Sequence, residues 1–136
     1  MKRDLHNNID VRRAISPVVA TDNTALVSQI IDTAGFGSLE FVIATGTLAD
    51  AAATFTTLVE DGDDASLSDN AAVADSGLLG TEVLASFDQD DDDSVFKIGY
   101  RGNKRYVRLT ITPAGNAGNA PISAVAVLGS PSLAPV

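Results

Sequence analysis

Cysteine and tryptophan are absent from this chain of 136 residues, and histidine occurs once, as His6. Without cysteine, disulfide scaffolds, thiolate zinc sites, iron–sulfur clusters and thiol nucleophiles are all excluded. A single histidine makes a His-based triad or a multi-His metal centre unexpected, and His6, between Leu5 and Asn7, reads as an exposed residue. Aromatic residues are few, five Phe and two Tyr. No apolar run approaches the ~18 residues of a membrane span, and Met1-Lys2-Arg3-Asp4 does not lead into the apolar core of a secretory signal. The expectation is a protein with no membrane partner.

The widest gap is in positive charge. No Lys or Arg occurs from Ala14 to Phe96, an interval that holds 16 of the 18 acids. Lys2, Arg3, Arg12 and Arg13 precede it, and Lys97, Arg101, Lys104, Arg105 and Arg108 follow within twelve residues. A net charge of −9 disfavours nucleic acid as a partner, because phosphate contacts need a basic surface to displace counterions. A basic start on an acidic body suits a segment that docks on a neighbouring protein, another copy of the chain included.

What is present is apolar material, 45% of residues, enough for one folded domain without a disulfide or a metal. It is arranged in short runs bounded by turn formers. Leu26–Asp32 and Leu39–Ala44, joined through Gly35 and Gly37, read as a hairpin; Thr54–Glu60 is β-branched; Glu82–Phe87 alternates weakly. Ser94–Tyr100 alternates clearly, with Phe96, Ile98 and Tyr100 on one face, and Arg101–Lys104 reads as a tight turn into Arg105–Thr112. In that last run Val107, Leu109 and Ile111 point one way and Arg108, Thr110 and Thr112 the other. Ile122–Leu128 is apolar on both faces and reads as a central strand. About seven strands so spaced predict an all-β fold, an antiparallel β-sandwich or jelly roll. One or two helical turns are possible at Ala49–Ala53 and Ser68–Ala74, and Glu60–Gly80 reads as a surface excursion.

Chemistry is sparse. Asp88-Gln89-Asp90-Asp91-Asp92-Asp93 puts five carboxylates in six positions, but a calcium loop of the EF-hand type needs Gly sixth and Glu twelfth, where this chain has Asp93 and Gly99. It and Glu60-Asp61-Gly62-Asp63-Asp64 read as solvated acidic turns, with no metal and no cofactor expected. The glycines at 35, 37, 115 and 118 match neither the dinucleotide fingerprint nor the phosphate loop, and read as turn residues. The group Lys97, Arg101, Lys104, Arg105 and Arg108 has two readings: one positive patch for a partner, or ion pairs with nearby aspartates.

The opening Met1-Lys2-Arg3-Asp4-Leu5-His6-Asn7-Asn8-Ile9-Asp10-Val11 running into Ser16-Pro17-Val18-Val19 is similar to that of small virion proteins of tailed bacteriophages. So is the ending Tyr106–Pro113 before Ala124–Gly129. Across nearly the full length the chain resembles their capsid decoration, or cement, proteins. The resemblance implies a non-enzymatic protein made in the host cytoplasm and bound outside the capsid, with the major capsid protein as partner and self-association, commonly as a trimer. It fits an organisation of an extended arm over residues 1–25, a sandwich over 26–128 and a tail over 129–136. Lys2, Arg3, Arg12, Arg13, Arg101, Lys104 and Arg105 are then the candidate partner-binding residues. A head–tail connector or tail protein is the alternative within virions. A carbohydrate-binding sandwich is the alternative outside them, although such modules present aromatic platforms and this chain offers only Tyr100 and Tyr106 beyond its phenylalanines.

Overall fold

The computed structural model describes residues 3–136, and among these eleven β-strands form two antiparallel sheets packed face to face. In chain order they are β1 (Ile9–Ala20), β2 (Leu26–Val27), β3 (Ile31–Asp32), β4 (Phe36–Thr45), β5 (Thr54–Gly62), β6 (Ala71–Ala72), β7 (Leu78–Leu79), β8 (Phe87–Asp88), β9 (Val95–Tyr100), β10 (Tyr106–Ala114) and β11 (Ala120–Pro131). Sheet A has the order β1-β11-β4-β9-β7; sheet B has β2-β10-β5-β6, with β3 also on β10 and β8 also on β5. From β4 to β5, and again from β9 through β10 to β11, the chain changes sheet instead of turning back on itself. The predicted all-β sandwich is therefore present, with jelly-roll-like connectivity.

Period-two alternation decides which side chains enter the core. Val107, Leu109 and Ile111 of β10 are each fully buried, and Leu109 lies opposite Val59 in the β5 register. In sheet A the inward row of β11 contributes Ala124 and Ala126 opposite Ile43 and Phe41 of β4. Small side chains facing large ones let the layers interdigitate at interior density, which accounts for the many alanines in a closely packed core. Phe55, Phe87 and Phe96 stack in sequence, with centroids 4.9 and 5.4 Å apart, and so link sheet B to sheet A.

Several sequence expectations are corrected. Neither expected hairpin exists: β3 and β4 lie in different sheets, as do β9 and β10. Alternation specifies a face, not a sheet, and the three residues Thr33–Gly35 are enough to cross the ~10 Å between layers. The run Leu26–Asp32 is broken into β2 and β3, because the Ser28 hydroxyl donates to the Gln29 carbonyl (2.7 Å) and accepts from the Leu109 N–H (2.9 Å), competing with a regular ladder. Most of Glu82–Phe87 is a turn, leaving only Phe87–Asp88 as strand. Neither helical candidate forms a helix: Ala49–Ala53 is a turn held by Asp50, and Ser68–Ala74 contains β6, with a single 3-10 turn following at Asp75–Gly77. The excursion after β5 is anchored inward by Leu67, 1% exposed.

The arm expected over residues 1–25 is also corrected. Its larger part is β1, which pairs with β11 from Ile9↔Gly129 to Ala20↔Ala120 and buries Ala14, Ile15 and Ala20. An edge strand needs only one paired side, so Arg12, Arg13, Ser16 and Pro17 are tolerated there and gave the segment its polar, arm-like composition. The tail expected over 129–136 begins inside β11, which continues to Pro131 opposite Phe36.

Candidate interaction surface

The registers β1–β11, β11–β4 and β4–β9 align side chains in rows across the outer face of sheet A. One row runs Arg13, Val125, Val42, Lys97; beside it lies Val11, Val127, Glu40, Gly99. A third contains Ser123, Ala44 and Val95. The face is thus a sheet of β-branched and small side chains, with Val11 55%, Val95 67% and Val125 38% exposed, crossed by three charges. Glu40 lies down over Gly99, where an added Cβ would stand 2.5 Å from its Oε2. Burial raises the Glu40 carboxyl above its ordinary pKa, and the Lys97 ammonium partly opposes that shift. At one end of the face Pro17, Val18, Val19, Gly46, Pro121 and Ile122 line an apolar groove of about 260 Å³.

The basic candidates do not form a single patch. Lys97 is on the outer face of sheet A, whereas Arg108 belongs to sheet B and pairs with Glu60 at 3.1 Å in a mostly buried contact. Lys104 pairs with Asp63 at 2.7 Å. Arg105 grips Asp32 with two bonds, Nε at 2.8 Å and Nη2 at 2.9 Å, and lies over the Tyr106 ring. The Arg105 guanidinium pulls the Asp32 carboxyl down to about 2. Of the readings offered by the sequence, pairing with nearby aspartates describes Lys104 and Arg105. Arg12 bonds Asp10 at 2.8 Å, donates to the Asp32 carbonyl at 2.7 Å and stacks over Phe36, so the structure brings Arg12 and Arg105 together on one residue. Arg13 projects beside the Gln29 amide, and Arg3 and Arg101 are exposed. Lys2 lies outside the described residues.

The acidic runs are used by the backbone. Asp92 accepts from the Leu48 N–H at 2.7 Å, Asp91 from Asp88 N–H and Asp88 from Asp90 N–H. Asp64 takes bonds from Ser66 and Ser68, whose hydroxyls and N–H groups lower its pKa to about 2. Among the described residues, no three His, Asp or Glu side chains converge as a metal would require. Sequence reasoning missed the Val11, Val42, Val125 and Val127 face. Its one signal was the run Ile122–Leu128, apolar on both sides, which implied an apolar outer face as well as a buried one.

No family model and no curated protein matches this sequence. Solved structures of similar fold exist. One is the PBSX exported protein XepA, with a TM-score of 0.61 and 11% identity over 98% of this chain and 40% of that one. Another is a chain of infectious bursal disease virus, Gx strain, with a TM-score of 0.51 and 12% identity over 88% of this chain and 31% of that one. The Clostridium thermocellum xylanase Xyn10B, solved as CBM22-1 and GH10 modules with xylohexaose, gives a TM-score of 0.50 and 11% identity over 94% and 27%. The chain spans less than half the length of each. At such identities the likeness is one of fold.

Proposed function

We propose that this protein is a structural, non-catalytic component of a phage virion that lies on the outside of the capsid and bridges neighbouring capsomers. The observation that carries the reading is the outer face of sheet A, where the exposed Val11 and Val125 and the half-buried Val42 and Val127 form a contiguous apolar surface crossed by Arg13, Glu40 and Lys97. A contiguous apolar surface on a sheet face marks a protein docking site. The virus chain among the similar folds, beside the PBSX exported protein XepA, supports the virion assignment. The xylanase modules favour carbohydrate less, since Phe41, Phe55, Phe87 and Tyr100 are buried, Phe36 and Phe96 pack against the core, and the half-buried Tyr106 is covered by the Arg105 guanidinium. Among the described residues, no aromatic platform lies on the valine face.

The test is binding to purified capsids that lack the protein, followed by cryo-electron microscopy. Saturable density at capsomer boundaries, lost with Val125→Lys or Val42→Glu while the variants melt like the parent, is the expected result. Failure of the folded parent to bind capsids, with tails or connectors bound instead, overturns it.

A further inference from the structure

The outer edge of β1 is the end of sheet A, and its sequence is self-complementary. The geometry points to a symmetric dimer in which Ile9–Arg13 of one copy pairs antiparallel with Ile9–Arg13 of a second copy, about a two-fold axis at Val11. Three observations select this segment. The window is bounded: the Ala14 carbonyl accepts from Gln29 N–H at 2.9 Å, and the Asn7 carbonyl from Val136 N–H at 3.1 Å. Beyond Ala14 the register slips between Arg13 and Ile15 and again between Ile15 and Val18, and Pro17 has no N–H to give, so the second half of β1 cannot template a strand. An uncovered edge of this length otherwise invites pairing with another chain.

Charge then chooses the register. Asp10 and Arg12 lie on the same side of the strand, bonded to each other at 2.8 Å, and each stays part exposed, 40% and 36%, with capacity for a further partner. Centring the pair on Val11 sets Asp10 opposite Arg12 of the second copy, twice over, whereas registers centred on Asp10 or on Arg12 set like charges opposite each other. Val11 of each copy meets its twin on the outer face, extending the apolar row Val11–Val127 across the axis. This pairing goes beyond the capsid reading and does not depend on it.

The experiment is analytical ultracentrifugation of the full chain, with Asp10→Arg and Arg12→Asp variants alone and mixed. The parent is expected to sediment as a dimer that weakens with salt. Each variant alone opposes like charges at both crossings and raises the dissociation constant by about tenfold or more. Mixed in equal amounts, the two variants restore opposite charges at both crossings and recover the dimer. Arg12 also serves the fold, so Asp10→Glu and Arg12→Lys, which keep each sign, serve as controls and must remain dimeric. A monomeric parent, an oligomer indifferent to the reversals, or folded variants that stay apart when mixed overturns the proposal.

Discussion

Arg12 of β1 donates from Nη1 to the carbonyl oxygen of Asp32 in β3, 2.7 Å away, and so fastens the edge of sheet A to sheet B. The same guanidinium lies over Phe36, 5.6 Å from the ring centroid, and bonds the Asp10 carboxylate. An edge residue with these three attachments closes the open side of the sandwich. Arg12→Ala is therefore expected to cost about 1–2 kcal/mol, since it deletes a charge-assisted bond and a stacked guanidinium. Removing residues 1–13 takes away the Ile9–Arg13 pairing with β11 as well, and should abolish cooperative folding or lower the melting temperature by many degrees. Thermal melts of both variants check this. A truncated protein that melts like the parent would restore the arm that the sequence suggested.

Leu109 sits opposite Val59 and is fully buried among the core residues of both sheets. Leu109→Asp places a carboxylate where no partner waits, and the expected loss is at least several kcal/mol. Leu109→Ala removes only volume and should cost about 2–5 kcal/mol. Urea unfolding of the pair separates the charge penalty from the cavity. Equal losses would mean that water reaches the site.

How far the fold was legible follows from what alternation encodes. Val107, Leu109 and Ile111 could be placed in the core from sequence because one buried face imposes a period of two. The strand partners could not. Whether β9 pairs with β10 or with β4 is decided by a crossing at Arg101–Arg105, and those residues turn equally well within a sheet or between sheets. β1 was hidden for a different reason, because its exposed residues are those an edge strand tolerates and a loose arm also contains. Arg105 and Lys104 were visible as charges, while their partners Asp32 and Asp63 are 73 and 41 residues away in the chain.

The Arg105–Asp32 pair has a pH signature. Asp32 is held near 2 in the folded chain, chiefly by hydrogen bonds from Arg105, against an ordinary carboxylate value near 4. A depressed folded pKa stabilises the protein above the unfolded value, and the contribution is lost as pH falls from about 4 toward 2. The side chains are 55% and 41% exposed, so solvent screening limits the pair to ~1 kcal/mol or less. Asp32→Asn should lower the melting temperature slightly at pH 7 and have almost no effect at pH 2. Glu40 has the opposite sign: burial raises its folded pKa, so its contribution is full below the unfolded value and declines as pH rises through the folded one. Glu40→Gln should consequently raise the melting temperature at pH 7 but not at pH 3. Parallel shifts in the two variants across pH would contradict the assignment.

Asp92 supplies the sharpest test of the acidic turns as structure rather than as a cation site. Its Oδ1 accepts from the Leu48 N–H at 2.7 Å, and Leu48 itself is 4% exposed, so the carboxylate satisfies a donor at the rim of the core. Nearby, the Thr45 hydroxyl donates to the Asp91 carbonyl at 2.8 Å, tying the same turn to the end of β4. Asp92→Ala strands the Leu48 donor and is expected to cost about 1–2 kcal/mol. A metal site would behave differently, because a bound cation stabilises in proportion to the logarithm of its concentration over its dissociation constant. The melting temperature of the parent should therefore change little between millimolar calcium and chelator, and the Asp92→Ala deficit should be the same in both. A deficit that appears only with calcium present would make the turn a calcium site and Asp92 one of its ligands.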